Sequence, residues 1–454
     1  MRMVHTSLCV ILIVFLFSSL VSAQENWQHW RGPNHNGISN ATNLPVIWSS
    51  EKNIAWKTEL PSWSAGTPII WGDQIFITSP SKVDEETVEA REKTFEQNRR
   101  GRRRRAYLDP GGSKLLLLCI SKKDGKILWQ RELDNKNELH RKANDSSPSP
   151  VTDGKYVWVI TGTGVLTAFN MQGDQIWQRK LQEEYGKFGL NFGYGSSPLL
   201  LNGQLIIQVI HGYKTEDPSY ILSMEAKTGK TLWRKLRITD AIKESKDSYT
   251  TPLIFDNGKE KQLIISGGDY VTGHDPDTGE EIWRAGGMNP MKRSNFRVIA
   301  SPVIADGIIY LPTRKKPLQA FRIGRTGDIT ESSFLWKWEG RGAPDVPSPL
   351  CDGKYFYMVD DKGLVTCLDA KAGTVIWGPE RTSEGIVSAS PILADGKIFF
   401  VNEKAVTTIV KEGPEFELVA TNELDGTYTL ASPAISGNQI FIRSATYLYC
   451  IGKD

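Results

Sequence analysis

The sequence is poor in the residues from which most active sites are assembled. It has six histidines in 454 residues. Beyond the leader these are His29, His35, His140, His211 and His274, each standing singly. None joins cysteines or carboxylates at metal-ligand spacing, so no metal site is expected. For His29 and His35 a satisfied or exposed role is the simpler reading. A Gly-x-Ser-x-Gly nucleophile turn and a phosphate loop are both missing. Gly162-Thr-Gly164 and Gly193-Tyr-Gly195 are turn glycines among strands, where a dinucleotide fingerprint would have to open a helix. Cysteine is scarce too. No two of the five are adjacent, and Cys9 lies in the leader. Cys119, Cys351, Cys367 and Cys450 remain; Cys119 and Cys367 fall in different repeats, so no bridge is expected although an exported protein would allow one. A net charge of +3 gives no reason to invoke nucleic acid.

Long apolar runs are missing after the start. Arg2 and His5 precede a short apolar core ending near Leu20, followed by Val21-Ser22-Ala23. That is the pattern of a secretory signal peptide cut after Ala23. Cys9 is too early for a lipoprotein box and no cysteine follows the cut, so a soluble periplasmic or secreted protein is expected. No later stretch is apolar for long enough to span a bilayer as a helix.

What is abundant is repetition. A Ser or Thr precedes Pro at Thr67, Ser149, Ser197, Thr251, Ser301, Ser348, Ser390 and Ser432. The last five prolines are spaced by 50, 47, 42 and 42 residues, the period of a four-stranded propeller blade. A turn pair follows each Pro, for example Asp153-Gly154, Asp352-Gly353 and Asp395-Gly396. A Gly stands four residues before a Trp at Gly125/Trp129, Gly173/Trp177, Gly229/Trp233, Gly279/Trp283 and Gly373/Trp377. Proline lacks an N–H and suits an edge strand, glycine supplies positive φ, and the indole would fill the wedge between blades. The fold class is therefore all-β: an eight-bladed β-propeller of four-stranded antiparallel blades.

The two ends complete each other. Residues 53–60 read as an outer strand lacking its first three, and residues 432–451 as three strands lacking the last, so the N-terminal strand should close the ring. The domain plan is a leader at 1–23, an aromatic and Gly-rich extension at 24–52, and one propeller at 53–454. Residues 79–112 form a charged insertion in the first repeat, with a helix-capable acidic stretch at 83–97 and the basic run Arg99-Arg-Gly-Arg102-Arg103-Arg104-Arg105. That run reads first as a solvated loop. Trp336 is taken as the late closing tryptophan of the fifth repeat. Repeat seven lacks one, with Phe416 and Leu418 near its place.

The segment LVTCLDAKAGTVIW at 364–377 resembles the repeat of the pyrroloquinoline-quinone-type propellers. That superfamily includes quinoprotein alcohol dehydrogenases and the propeller lipoprotein of the outer-membrane barrel-assembly machinery. The segment from Trp27 to Ser39 is similar to exported repeat proteins of planctomycete-type bacteria. The resemblance implies the fold over residues 53–451. It does not carry over the dehydrogenases' adjacent-cysteine disulfide, which this chain lacks. The expected function is an exported, non-enzymatic, monomeric scaffold that binds a protein or an anionic polymer of the cell envelope, without a cofactor. The alternative is an oxidoreductase using pyrroloquinoline quinone with calcium.

Propeller geometry then separates two faces. Short turns bearing Asp fall on one side, while long loops and interblade linkers fall on the other. Loops of variable length on a rigid scaffold are where binding residues usually sit. Five residues before anchor prolines stand Trp63, Asp145, Asp247, Arg297 and Tyr428, expected around the channel mouth. The remaining candidates on the loop face are Arg102 to Arg105, Tyr194, Arg293, Arg314, Lys315 and Lys316. A disc acidic on its turn side and basic on its loop side is the expectation.

Overall fold

The computed structural model describes residues 26–84, 109–314 and 317–452. The leader, most of the first-repeat insertion with Arg102 to Arg105, and Lys315 and Lys316 lie outside the described residues.

Eight antiparallel sheets follow one another around a ring. Blade I comprises Ile69–Trp71, Gln74–Pro80, Leu115–Ser121 and Ile127–Asp134, counted outward from the channel. Blade II is Val151–Thr152, Tyr156–Ile160, Val165–Asn170 and Gln175–Lys180; blade III is Leu199–Leu201, Gln204–Val209, Tyr220–Glu225 and Thr231–Leu236. Blade IV is Leu253–Asp256, Lys261–Gly267, Tyr270–His274 and Glu281–Ala285, widened by the parallel strand Gly327–Asp328. Blade V is Val303–Ala305, Ile308–Leu311, Leu318–Arg322 and Phe334–Trp338; blade VI is Leu350–Cys351, Tyr355–Val359, Leu364–Asp369 and Val375–Arg381. Blade VII is Ile392–Ala394, Lys397–Val401, Val406–Lys411 and Leu418–Glu423. Blade VIII has Ala434–Ser436, Gln439–Arg443 and Tyr447–Ile451, and its outermost strand is Ile54–Glu59 from the start of the chain. Thr58 faces Leu448 and Trp56 faces Cys450 across that closing pair.

The anchor hydroxyls have a role that proline chemistry alone does not reveal. The N–H of Thr67 donates to Ser149 Oγ (2.9 Å), Ser149 to Ser197 (3.0 Å), Ser197 to Thr251 (3.2 Å) and Thr251 to Ser301 (3.0 Å). Ser301 continues to Ser348 (2.9 Å), Ser348 to Ser390 (2.9 Å) and Ser390 to Ser432 (3.0 Å). All eight anchors are buried. An edge strand at the channel has backbone donors with no strand to receive them. From Ser149 to Ser432 the anchor hydroxyl accepts the donor of the previous blade, and the following proline has no N–H to satisfy.

The tryptophans lock the outer part of the ring. The indole N–H of Trp56, Trp129, Trp177, Trp233, Trp336 and Trp377 each reaches a carbonyl of the next blade, at Lys122, Met171, Ala226, Pro276, Ala370 and Gly413, over 2.8 to 3.2 Å. The turn glycine of that next blade lets the ring lie flat. Gly229 has φ +73°, and a Cβ there would sit 2.8 Å from the Trp177 ring. Small residues stand opposite each indole in the third strand, including Cys119, Ser223, Gly273 and Cys367. This accounts for Cys119, Cys367 and Cys450 in third strands; all four described cysteines are buried and none is joined in a disulfide.

Blade VII departs from the expectation. The residue in tryptophan register is Ala420, opposite Ile409; the bulge beside it is shared with the other blades, but the turn beyond is longer, with Val410 facing Leu418 where blades I and VI pair Ile120 with Ile127 and Leu368 with Val375. Phe416 instead packs edge-on against Trp377 at 5.4 Å. Ala420 shares a core cluster with Trp48, whose backbone N–H is held by Asn422 Oδ1 at 2.9 Å. Among the described residues no helix is long and apolar enough to cross a membrane.

Candidate functional site

The second-to-third-strand loops and the interblade linkers meet at one mouth of the channel. Trp63 and Tyr428, from linkers on either side of blade VIII, stack edge-on at 5.3 Å. The Trp63 indole donates to the Asp109 carbonyl. Burial first, and Glu403 second, push the Tyr428 hydroxyl above its ordinary value. Asp145 accepts the Glu138 N–H at 2.8 Å and pairs with His140 Nε2 at 3.0 Å.

Asp247 is fully buried. It accepts backbone N–H groups from Asn191 (2.8 Å) and Tyr213 (3.1 Å). Burial nevertheless pushes its carboxyl up to about 6, with Glu244 adding to the effect. Arg297 reaches Asp345 at 3.3 Å, and its guanidinium lies 5.0 Å from the centre of the Phe192 ring. Arg314 joins the same Asp345 carboxylate at 3.2 Å.

A feature without a sequence signal lies across this mouth. The linker between blades I and II forms a small hairpin, Leu139–His140 with Ala143–Asn144. Arg141 at its tip has φ +61° and stacks over Phe192 at 4.7 Å. Lys142 crosses to Glu403 of blade VII at 2.7 Å. Its charge also opposes the upward shift of the Asp361 carboxyl, which burial and Asp345 cause. The hairpin therefore bridges nearly opposite sides of the ring.

Not every candidate is at the mouth. Tyr194 is core: it is buried, packs on Phe188 at 4.7 Å and donates to the Gln208 carbonyl at 3.0 Å. Arg293 stands exposed on the linker after blade IV, where its carbonyl accepts Ser245 Oγ at 2.6 Å. The described mouth is not the basic surface expected. Asp145, Glu244, Asp247, Asp345, Asp361 and Glu403 accompany Arg141, Lys142, Arg297 and Arg314, and Lys142, Arg297 and Arg314 make short ion pairs with them.

The opposite, turn-side mouth is covered by the N-terminal segment. Trp27 bridges to Ile70 of blade I and Ile38 to Leu393 of blade VII. Between them Arg31 is buried, donating to the carbonyls of Pro391 (2.7 Å), Pro349 (2.7 Å) and Asn36 (2.9 Å). Without a carboxylate partner, burial lowers its pKa to about 9.

The Trp63 and Tyr428 rings meet at 73°, so this pair offers no flat platform to a planar quinone. Among the described residues no group of three or more His, Cys, Asp or Glu is arranged to hold a metal.

A family profile described as "Outer membrane protein assembly factor BamB" matches residues 113–379 and 220–453. The BamB of Yersinia pestis is 20% identical over 336 residues, spanning 65% of this chain and 81% of that protein. The crystal structure of BamB from Moraxella catarrhalis superposes with a TM-score of 0.55 at 13% identity, over 87% of this chain and 98% of that one. The quinohemoprotein alcohol dehydrogenase of Comamonas testosteroni gives 0.65 at 11% identity, over 95% and 81%. At these identities the structural likeness speaks for the fold alone.

Proposed function

The chain belongs to the family of the outer membrane protein assembly factor BamB, and from that membership we propose that it is a non-enzymatic propeller scaffold of the cell envelope, holding a protein partner on its loop face. It works in the periplasm or outside the cell, after loss of a leader cut behind Ala23. The observation that carries the reading is the loop-side mouth itself. Its charged side chains are spent on one another and on backbone donors, as in the Arg297–Asp345–Arg314 cluster and the Lys142–Glu403 pair. A mouth whose charges are paired in this way suits presentation of the surrounding loops better than turnover of a small substrate. An anionic polymer is a weaker fit, because acidic groups are mixed among the described cations.

A quinone-dependent oxidoreductase is the second reading, favoured by the likeness to the dehydrogenase fold. Titration of the purified protein with pyrroloquinoline quinone and calcium, followed by absorbance, separates the two. The scaffold reading expects no stoichiometric uptake. Tight uptake of one quinone per chain would overturn it.

A further inference from the structure

The N-terminal segment covers the turn-side mouth without filling it. Beside it lies a cavity of about 310 Å³ lined by Gln28, His29, His35, Trp71, Asp153 and Asn202. A wider cleft of about 780 Å³ continues past Asn34 and Asn36 to Asp256, Asn257, Asp306 and Arg322. The turn-side groove consists of these two hollows, with His35 lining both, along the first turns of blades I to V. The volumes lie in the ordinary range for small-molecule sites.

The inner cavity contains unspent hydrogen-bonding groups. His29 is 0% exposed, yet its Nε2 has no partner; Gln28 Oε1 and His35 Nδ1 are likewise buried and unpartnered. Leaving such groups unpaired is costly, so a ligand that pairs them gains what the empty site forgoes. The tautomer of His29 can be read from its other nitrogen. Nδ1 faces the backbone N–H of Arg31 at 3.4 Å, so it is the acceptor and the proton lies on Nε2. Burial, then His35 and Arg31, hold the ring neutral. Nε2 is thus a donor, which makes it unfit to ligate a metal.

Charge narrows the ligand further. Arg31 is close enough to disfavour a cation at His29, but its guanidinium is committed to three carbonyls and offers no clamp for an anion. The groove's rim holds Asp153, Asp256 and Asp306 against Arg322. The wall is Trp71, whose indole lies across Gly154. A donor, an acceptor, an aromatic wall and a rim of short amides and carboxylates suit a neutral ring with hydroxyls around it and an apolar face.

We propose that this turn-side groove binds a neutral saccharide, with His29 Nε2 donating to a sugar oxygen, Gln28 Oε1 accepting a hydroxyl, and Trp71 carrying the ring face. The site is on the side of the disc opposite the loop face, so it stands or falls apart from the scaffold reading.

The test uses the full exported chain and isothermal titration with cellohexaose, maltohexaose and chitohexaose, an oligogalacturonate of similar length, and zinc chloride. At least one neutral oligosaccharide should bind. Gln28→Met and Trp71→Ala should each weaken it by about tenfold or more, while thermal melting shows the variants folded. His29→Asn provides a third arm, judged by the same melt. Three results would overturn the proposal: no neutral oligosaccharide binding, affinity unmoved in folded Gln28→Met, or stoichiometric zinc uptake that His29→Asn abolishes.

Discussion

The backbone N–H of Ser390 donates to the hydroxyl of Ser432 across 3.0 Å, joining the innermost strands of blades VII and VIII at the channel wall. Removing that hydroxyl leaves a buried N–H unpaired, which costs about 1–3 kcal/mol. Ser432→Ala should therefore lower stability by that amount in chemical denaturation. Ser432→Thr should retain most of it, since Thr251 already accepts the Ser197 N–H at 3.2 Å. Equal loss in both variants would mean that the hydroxyl is not what matters.

The turn glycines offer a second test with an internal control. Gly229 needs positive φ and also close approach, because an added Cβ would meet Trp177 at 2.8 Å. Gly437, at φ +62°, has open space around it. Gly229→Val should cost more than the roughly 1–3 kcal/mol of backbone strain alone. Gly437→Ala should cost only about 1–2 kcal/mol. Similar losses at the two sites would contradict the docked indole.

Much of this framework was legible in the sequence. The Ser/Thr-Pro anchors, the Gly-to-Trp spacing and the complementary chain ends repeat in one order, and each has a local physical cause. What escaped reading depends on partners a blade or more away. The anchor hydroxyl serves a donor 42 residues distant in the case of Ser432. The tryptophan register of blade VII falls on Ala420 because its third-to-fourth-strand turn is longer, with Val410 facing Leu418 where blade VI pairs Leu368 with Val375. The hairpin at 139–144 has two-residue strands and no strong turn signal. His29 and His35 look scattered, yet their rings lie 4.2 Å apart because Gly32, His35 and Gly37 all take positive φ and fold the segment back.

Ring closure predicts a consequence for truncation. Ile54–Glu59 supplies the outer strand of blade VIII, and Trp56 docks on the Lys122 carbonyl of blade I at 2.8 Å. A chain lacking residues 24–60 exposes Tyr447–Ile451 as a bare edge and loses that docking. Lower melting and concentration-dependent aggregation are expected, measured by calorimetry and light scattering. Melting like that of the intact chain would refute closure.

Stability should also depend on pH through Asp247. Its carboxyl is raised to about 6 in the folded chain, against about 3.9 for an unperturbed Asp. Between those values the folded state binds more protons than the unfolded one. This contribution therefore makes stability fall as pH rises from about 4 to 6, by at most about 2–3 kcal/mol. Asp247→Asn should flatten that part of the profile, whatever constant offset the lost backbone contact adds. An unchanged slope would show that the carboxyl does not titrate there.

The scaffold reading is tested most directly by position-specific photocrosslinking in the intact cell envelope. A photoreactive residue at exposed Arg293 reports on the loop face, and one at exposed Asp277 on the turn face. The account predicts a discrete protein adduct from Arg293 and none from Asp277. A protein adduct that forms from Asp277 alone, or equally from both, would contradict it.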